Sequence, residues 1–267
     1  MTQLANDNIR KVVREQYGKV AESEKSGCGC SVTSCCDESG TDAKVSSIEL
    51  GYSTTDINQV PDSANMGLGC GNPITIASLK KSETVLDLGS GGGFDCFLAA
   101  REVGESGQVI GVDMTPEMVS KARVNADQAG HLNVDFRLGE IENLPVADSV
   151  VDVIISNCVI NLSSEKSKVF QESFRVLKSG GRLAISDVVA TAELPERLKN
   201  DMALFTGCMS GASLITDIES MLIDAGFNDI VIKPKDESRD FIQNWVPGSN
   251  IEDYVVSATI EAIKPKA

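Results

Sequence analysis

From Thr84 onward the chain alternates short apolar runs with amphipathic ones: TVLDLG, FDCFLAAREV, QVIGVDM, PEMVSKARVNADQAG, NVDFRLG, VDVIIS, KSKVFQESFRVLK, GRLAISDVVA, LPERLKNDMALFTG and DIESMLIDAGF. Strand-length runs separated by helix-length runs require long crossovers between neighbouring strands. The pattern therefore predicts an α/β fold with a doubly wound, mostly parallel sheet and helices on both faces. Thr115 followed by Pro116 predicts a helix start, Thr216 with Glu219 predicts a capping box, and DIVIKP with DYVVSATIEAI predicts a closing hairpin.

Upstream of this core, Ile9, Val12, Val13, Tyr17 and Val20 recur at helical spacing and predict an amphipathic helix over residues 6–22. Residues 23–41 have no apolar period and carry Cys28, Cys30, Cys35 and Cys36, so they read as a loop. Residues 42–82, rich in Gly and Pro, read as a lid ahead of the main fold. The expected organisation is 1–82 as helix, Cys-rich loop and lid; 83–192 as a nucleotide-binding core; and 193–267 as a C-terminal part with the closing strands. At 267 residues the chain suits one dominant domain with appendages.

Twenty-four basic against 39 acidic side chains give a net charge of −15, which repels a phosphate backbone and argues against a nucleic-acid partner. The N-terminal stretch has no apolar signal core and no run is long enough to span a bilayer, so the expectation is a cytoplasmic protein without a membrane partner. Eight cysteines in such a chain are expected to be free thiols, available for packing, soft-ion ligation or redox chemistry.

The first core strand runs into Gly89-Ser90-Gly91-Gly92-Gly93 and then a helix, which lets backbone approach a cofactor with no Cβ in the way. The next strand ends at Asp113, about twenty residues beyond Gly93, where an acid reaches ribose hydroxyls. A dinucleotide fingerprint wants a small residue where Phe94 stands, which weakens a nicotinamide reading. Asn157 ends the fourth strand, at the carboxyl edge where open α/β sheets bind ligands. The same topology brings Cys158 to that edge, Cys208 to a glycine-bearing loop on the same rim, and Cys70 in from the lid. Cys96, among Phe94, Phe97 and Leu98, reads as a packing residue, and His131, after Gly130, as a surface loop residue.

The pattern from Asp87 to Gly93 resembles the cofactor loop of class I S-adenosylmethionine methyltransferases. That resemblance implies S-adenosylmethionine as cofactor, bound by Asp87, Gly89, Ser90, Gly91, Asp113, Met114 and Asn157, with Glu140 and Ile141 flanking the adenine. Taken together, GLGCGNP, VLDLGSGGGFDCFLAA, GVDMTPEM, SNCVINL, SDVVATAELP and TGCMSGA resemble the arsenite methyltransferases over nearly the whole chain. The resemblance implies a Rossmann-like class I methyltransferase core with a C-terminal arsenic-binding or accessory region. It also implies that trivalent arsenic is held by Cys70, Cys158 and Cys208, that arsenite and methylated arsenicals are the substrates, and that a thioredoxin- or glutathione-type thiol is the reductant. Cys35 or Cys36, paired with Cys70, is the redox candidate under the same resemblance.

Soft thiolates suit a soft centre, and three of them leave trivalent arsenic a lone pair as nucleophile, so no general base is needed. Two other readings make different demands. A C- or O-methyltransferase of a small apolar acceptor would be indifferent to cysteine replacement, and a non-catalytic metalloid-binding protein would not need the glycine loop or Asp113.

Overall fold

A computed structural model describes residues 3–23, 43–199 and 201–266. Its centre is a seven-stranded sheet in the order β3-β2-β1-β4-β5-β7-β6. The strands are β1 (Thr84–Leu88), β2 (Gln108–Asp113), β3 (Val134–Leu138), β4 (Val151–Asn157), β5 (Leu177–Ala190), β6 (Asn228–Lys235) and β7 (Val255–Ile263). The first five run parallel, and β7 lies antiparallel to both β5 and β6.

A parallel strand buried on both faces must be apolar at odd and even positions alike. Strand β4 meets this requirement: Val153 and Ile155 belong to one core cluster, while Ile154 belongs to the cluster on the opposite face. On the first face lie α5 (Phe94–Val103) and α6 (Pro116–Ala129), together with the lid helices α2 (Ala43–Glu49), α3 (Thr54–Asn58) and α4 (Ile74–Ala77). The other face is covered by α7 (Lys166–Val176) and α10 (Ile215–Ala225), through Val169, Phe170, Ile218 and Leu222. The N-terminal helix α1 (Gln3–Glu22) packs on α6 and on α9 (Met202–Thr206).

Strand β1 pairs with β2 on one side and β4 on the other. Strand order therefore reverses there, and the crevice beyond the carboxyl ends of β1 and β4 is the ligand position for such a sheet. The 14-residue β5 and its partner β7 extend past this crevice. The β6–β7 connection, which includes α11 (Arg239–Ile242), folds back over the rim. Cys70, Val188, Leu204, Ile242 and Val255 form a third core cluster under that roof.

Three local expectations need correction. LPERLKNDMALFTG forms two short helices, α8 (Glu196–Lys199) and α9, because the Asp201 side chain accepts from Ala203 N and Leu204 N and starts a new helix. Helix α10 begins at Ile215 with Leu214 as N-cap, which leaves Thr216 inside the first turn and no capping box with Glu219. Val12, expected on the buried stripe of α1, is 38% exposed, while Val13 is buried. The helix start expected at Thr115 and Pro116 is found: Thr115 is the N-cap of α6 and Pro116 its first residue, with Asp113 Oδ1 accepting the Thr115 backbone N–H. The closing strands do pair, but through a long folded connection rather than a tight turn.

Candidate active site

The glycine loop is held by bonds from Gly89 N (2.8 Å) and Ser90 N (3.0 Å) to Val112 O. Gly89 has φ +70°, and a Cβ there would lie 2.5 Å from Val159 Cγ2, so the sharp turn and the close approach both require glycine. Asp113 accepts from Gly91 N at 2.9 Å and from Thr115 N at 2.8 Å, which aims its carboxylate across the loop. Burial raises the Asp113 pKa, and these N–H donors offset part of that rise.

Above the loop lies a cavity of about 710 Å³. Its wall includes Asp87, Gly89, Ser90, Gly91, Asp113 and Met114, and further round Ile141, Asn157, Cys158 and Cys208. The Ser90 hydroxyl is buried with no hydrogen-bond partner among the described residues. A cavity floored by glycine backbone, with the Asp113 carboxylate in its wall, fits a polar, flat ligand such as a nucleoside.

Asn157 ties the lid to this cavity. Its Oδ1 accepts from Cys70 N at 3.0 Å, and its Nδ2 donates to Tyr52 OH and to Gly71 O, each at 2.9 Å, with Asp95 Oδ2 at 3.3 Å. Tyr52 OH in turn donates to Asp95 Oδ1 at 2.7 Å. Burial raises Asp95 to about 6, against the stabilising bonds from Tyr52 and Asn157. Asp87 beside it is pushed well up, by burial first and then by the charge of Asp95. The Cys96 thiol, fully buried, donates to Asp87 Oδ2 at 3.2 Å. Cys96 is thus a packing residue that also partners a buried acid.

Of the three thiols named from sequence, Cys70 and Cys158 come together, and Cys208 lies beside Cys158 through a bond to its backbone carbonyl. Cys70 Sγ, Cys158 Sγ and a carboxylate oxygen of Asp187 all lie within 4.8 Å of one another. The Cys208 thiol donates to Cys158 O at 2.7 Å. Hydrogen bonding with the Cys208 and Cys70 thiols, and burial after it, pushes Cys158 well above the usual thiol range, and burial raises Cys70. Cys158 and Cys208 line the cavity, whereas Cys70, 1% exposed, sits behind its wall. Cys158 (φ +57°) and Cys208 (φ +64°) are both left-handed. For non-glycine residues this costs on the order of 1–2 kcal/mol each, a strain that collects at functional sites.

The chain shares this architecture with known enzymes. Residues 79–226 match the methyltransferase domain family. The arsenite methyltransferase of Halobacterium salinarum is 52% identical over 97% of this chain and 67% of its own length. The chain belongs to the arsenite methyltransferase family. Among its arsenite methyltransferase relatives, the mouse enzyme is 35% identical over 83% of this chain and 58% of its own length. The crystal structure of an arsenic(III) S-adenosylmethionine methyltransferase from Chlamydomonas reinhardtii superposes with a TM-score of 0.61 at 32% identity, covering 83% of this chain and 73% of that one. The chain thus spans about two thirds or less of the curated arsenite methyltransferases it matches.

For this member of the arsenite methyltransferase family, most residues expected at the cofactor surround the one cavity. Glu140 does not line it: its carboxylate faces Arg10 (3.5 Å) and Arg14 (3.9 Å) of α1, and Glu142, two residues on, takes its place in the wall. Arg10 also reaches Glu142 and Glu165 (2.9 Å), so α1 is clamped across the cavity mouth by an ion-pair cluster. The redox candidates Cys35 and Cys36 lie outside the described residues. His131 is half-exposed, stacks on Phe97 at 5.0 Å and lines a separate small pocket, away from the thiols. Tyr52, Asp95, Arg10 and Asp187 were not singled out from sequence. Asp187 and Asp95 left a visible signal there, as acids inside the otherwise apolar runs LAISDVVA and FDCFLAA.

Proposed function

We propose that the chain transfers methyl groups from S-adenosylmethionine to trivalent arsenic held by Cys70, Cys158 and Cys208. The observation that carries this reading is the approach of three cysteines from three separate segments, Cys158 and Cys208 in the wall of the glycine-lined cavity and Cys70 directly behind it against Cys158.

Protonated thiols suit arsenous acid. Each S–H proton leaves with one arsenic hydroxide as water, so three thiols give a neutral tris-thiolate arsenic without net proton release. The raised thiol pKa of Cys70 and Cys158 is therefore no obstacle, because exchange at arsenic replaces prior ionisation. The three sulfurs leave arsenic its lone pair, which is the nucleophile. S-adenosylmethionine, when bound, supplies an electrophilic methyl carbon on a sulfonium cation.

The glycine loop would take the nucleoside, Asp113 its ribose and Ile141 its adenine. The lid, pinned through Asn157, would bring Cys70 to arsenic and close the cavity against water. Methylation formally oxidises arsenic by two electrons. A pair of thiols, with Cys70 and Cys35 or Cys36 as the candidates, would return it to the trivalent state as a disulfide, to be reduced by a thioredoxin- or glutathione-type thiol. Such chemistry belongs in a reducing compartment, the cytoplasm.

The test is to incubate the protein with arsenite, S-adenosylmethionine and a thiol reductant and to separate arsenic species by chromatography with element-specific detection. Methylated arsenic is expected from the parent and none from Cys158→Ser or Cys208→Ser. A parent that binds S-adenosylmethionine yet leaves arsenite unmethylated would overturn the proposal.

A further inference from the structure

Asp187 is 2% exposed and sits in the C-terminal half of β5, among Ile185, Val188 and Val189. A carboxylate so placed is costly unless it is compensated, and the same volume filled by an apolar side chain would stabilise the sheet better. Its compensation is specific. Ile160 N donates to Oδ2 at 3.0 Å, while Val188 N (2.7 Å) and Asn161 Nδ2 (2.9 Å) donate to Oδ1. Three N–H donors favour the anion, against a burial that raises its pKa to about 7. The nearby cation, Lys166, is half-buried and donates to Gly211 O at 2.6 Å, and its charge acts on the carboxylate from a distance, lowering the Asp187 pKa. The remaining acceptor capacity of Asp187 faces the thiols, within 4.8 Å of Cys70 Sγ and Cys158 Sγ.

In the reaction proposed above, the arsenic lone pair forms the As–C bond as the methyl–sulfonium bond breaks, and the electrons of that bond stay on sulfur as a neutral thioether. Arsenic begins as a neutral tris-thiolate and ends bearing the positive charge that the sulfonium has lost. The step needs no proton and no external electrons, but it moves one unit of charge from the cofactor side of the cavity to the thiol side. A carboxylate beside the thiols, held towards its ionised form by three N–H donors and drawn further that way as the positive charge arrives, stabilises the state in which that charge has arrived more than the state in which it has not. This is the condition for accelerating the step rather than only tightening binding.

We propose, on the arsenic reading above, that the buried carboxylate of Asp187 is the electrostatic residue that receives this charge, stabilising the arsenic centre as it becomes cationic. Its bonds to Ile160 and Asn161 also hold the turn that follows Cys158, so a purely structural role makes the competing prediction that arsenite binding and rate fall together.

The experiment compares parent, Asp187→Asn and Asp187→Glu in two measurements. One is arsenite binding to the cofactor-free protein by equilibrium dialysis with arsenic quantification. The other is single-turnover methyl transfer with protein in excess. The Asn variant is expected to bind arsenite within about threefold of the parent but to transfer the methyl on the order of 100-fold more slowly, the scale for losing one preorganised charge-stabilising group. The Glu variant, which restores the charge, is expected to recover at least about tenfold of that loss. An Asn variant as fast as the parent would overturn the inference, as would one that loses arsenite binding in step with rate, or a Glu variant no faster than Asn. A parent that makes no methylated arsenic would overturn the arsenic reading itself, and this inference with it.

Discussion

Replacing Asn157 by alanine removes the side chain through which the lid, the acidic floor and the cysteine at position 70 are joined. Four contacts go: the bond from Cys70 N, the two 2.9 Å bonds to Tyr52 OH and Gly71 O, and the longer one to Asp95. At about 1 kcal/mol net for an ordinary hydrogen bond, with a further penalty for leaving the Cys70 amide without a partner, the loss is about 4 kcal/mol. Against a total stability of roughly 5–15 kcal/mol this is large, and for a chain of this size it corresponds to about 10 °C in melting temperature. Thermal unfolding followed by circular dichroism at neutral pH measures it directly. Aspartate at 157 is expected to do no better, because it exchanges the donating amide for a second acceptor facing Asp95. A melting temperature for Asn157→Ala within about 2 °C of the parent would refute the claim that this side chain pins the lid.

Two further outcomes follow from the buried acids and thiols. Cys96→Ala removes a thiol that fills core volume and donates to Asp87, so it should cost about 1–3 kcal/mol in denaturant unfolding while the stoichiometry of bound arsenite stays unchanged; a fall in arsenite stoichiometry would move Cys96 into the arsenic site. Asp95, raised to about 6 by burial, keeps its proton in the folded state at pH values where the unfolded chain, with a carboxyl pKa near 3.9, has lost it. The stability that proton confers is complete below about pH 4 and is lost as pH rises through about 6. Urea midpoints taken between pH 4 and 7.5 should therefore fall in the parent and fall less steeply in Asp95→Asn. Parallel profiles would mean that Asp95 titrates like an exposed acid.

What could be read from the chain itself was what local pattern encodes. The strand that runs into Gly89–Gly93, the acid ending β2 at Asp113 and the cysteine following β4 are each placed by a strand end, and strand ends are legible from apolar runs bounded by glycine or polar residues. Cys208 was placed on the same rim because the helix before it and its glycine neighbour imply a loop there, and the structure puts it within bonding distance of the Cys158 carbonyl.

What escaped depends on partners distant in sequence. Nothing local marks Tyr52 as the donor to Asp95, or Arg10 as the residue that clamps α1 to Glu142 and Glu165. The family resemblance implies Glu140 beside the adenine, but α1, whose docking no local pattern reveals, supplies two arginines that face it instead. The capping box at Thr216 failed for a related reason: the signature was present, but the helix starts two residues earlier, at Ile215 with Leu214 as N-cap. The left-handed backbone of Cys158 and Cys208 is likewise invisible in residue identity, since neither is a glycine.

As proposed, Cys70, Cys158 and Cys208 together hold one arsenic atom. X-ray absorption at the arsenic edge, on protein loaded with equimolar arsenite in the absence of any added thiol, counts the sulfur neighbours directly. The account predicts three sulfurs and no oxygen in the parent, and two sulfurs in each of Cys158→Ser and Cys208→Ser. A parent spectrum with two sulfurs and an oxygen, or spectra that do not change when Cys158 or Cys208 is replaced, would contradict it.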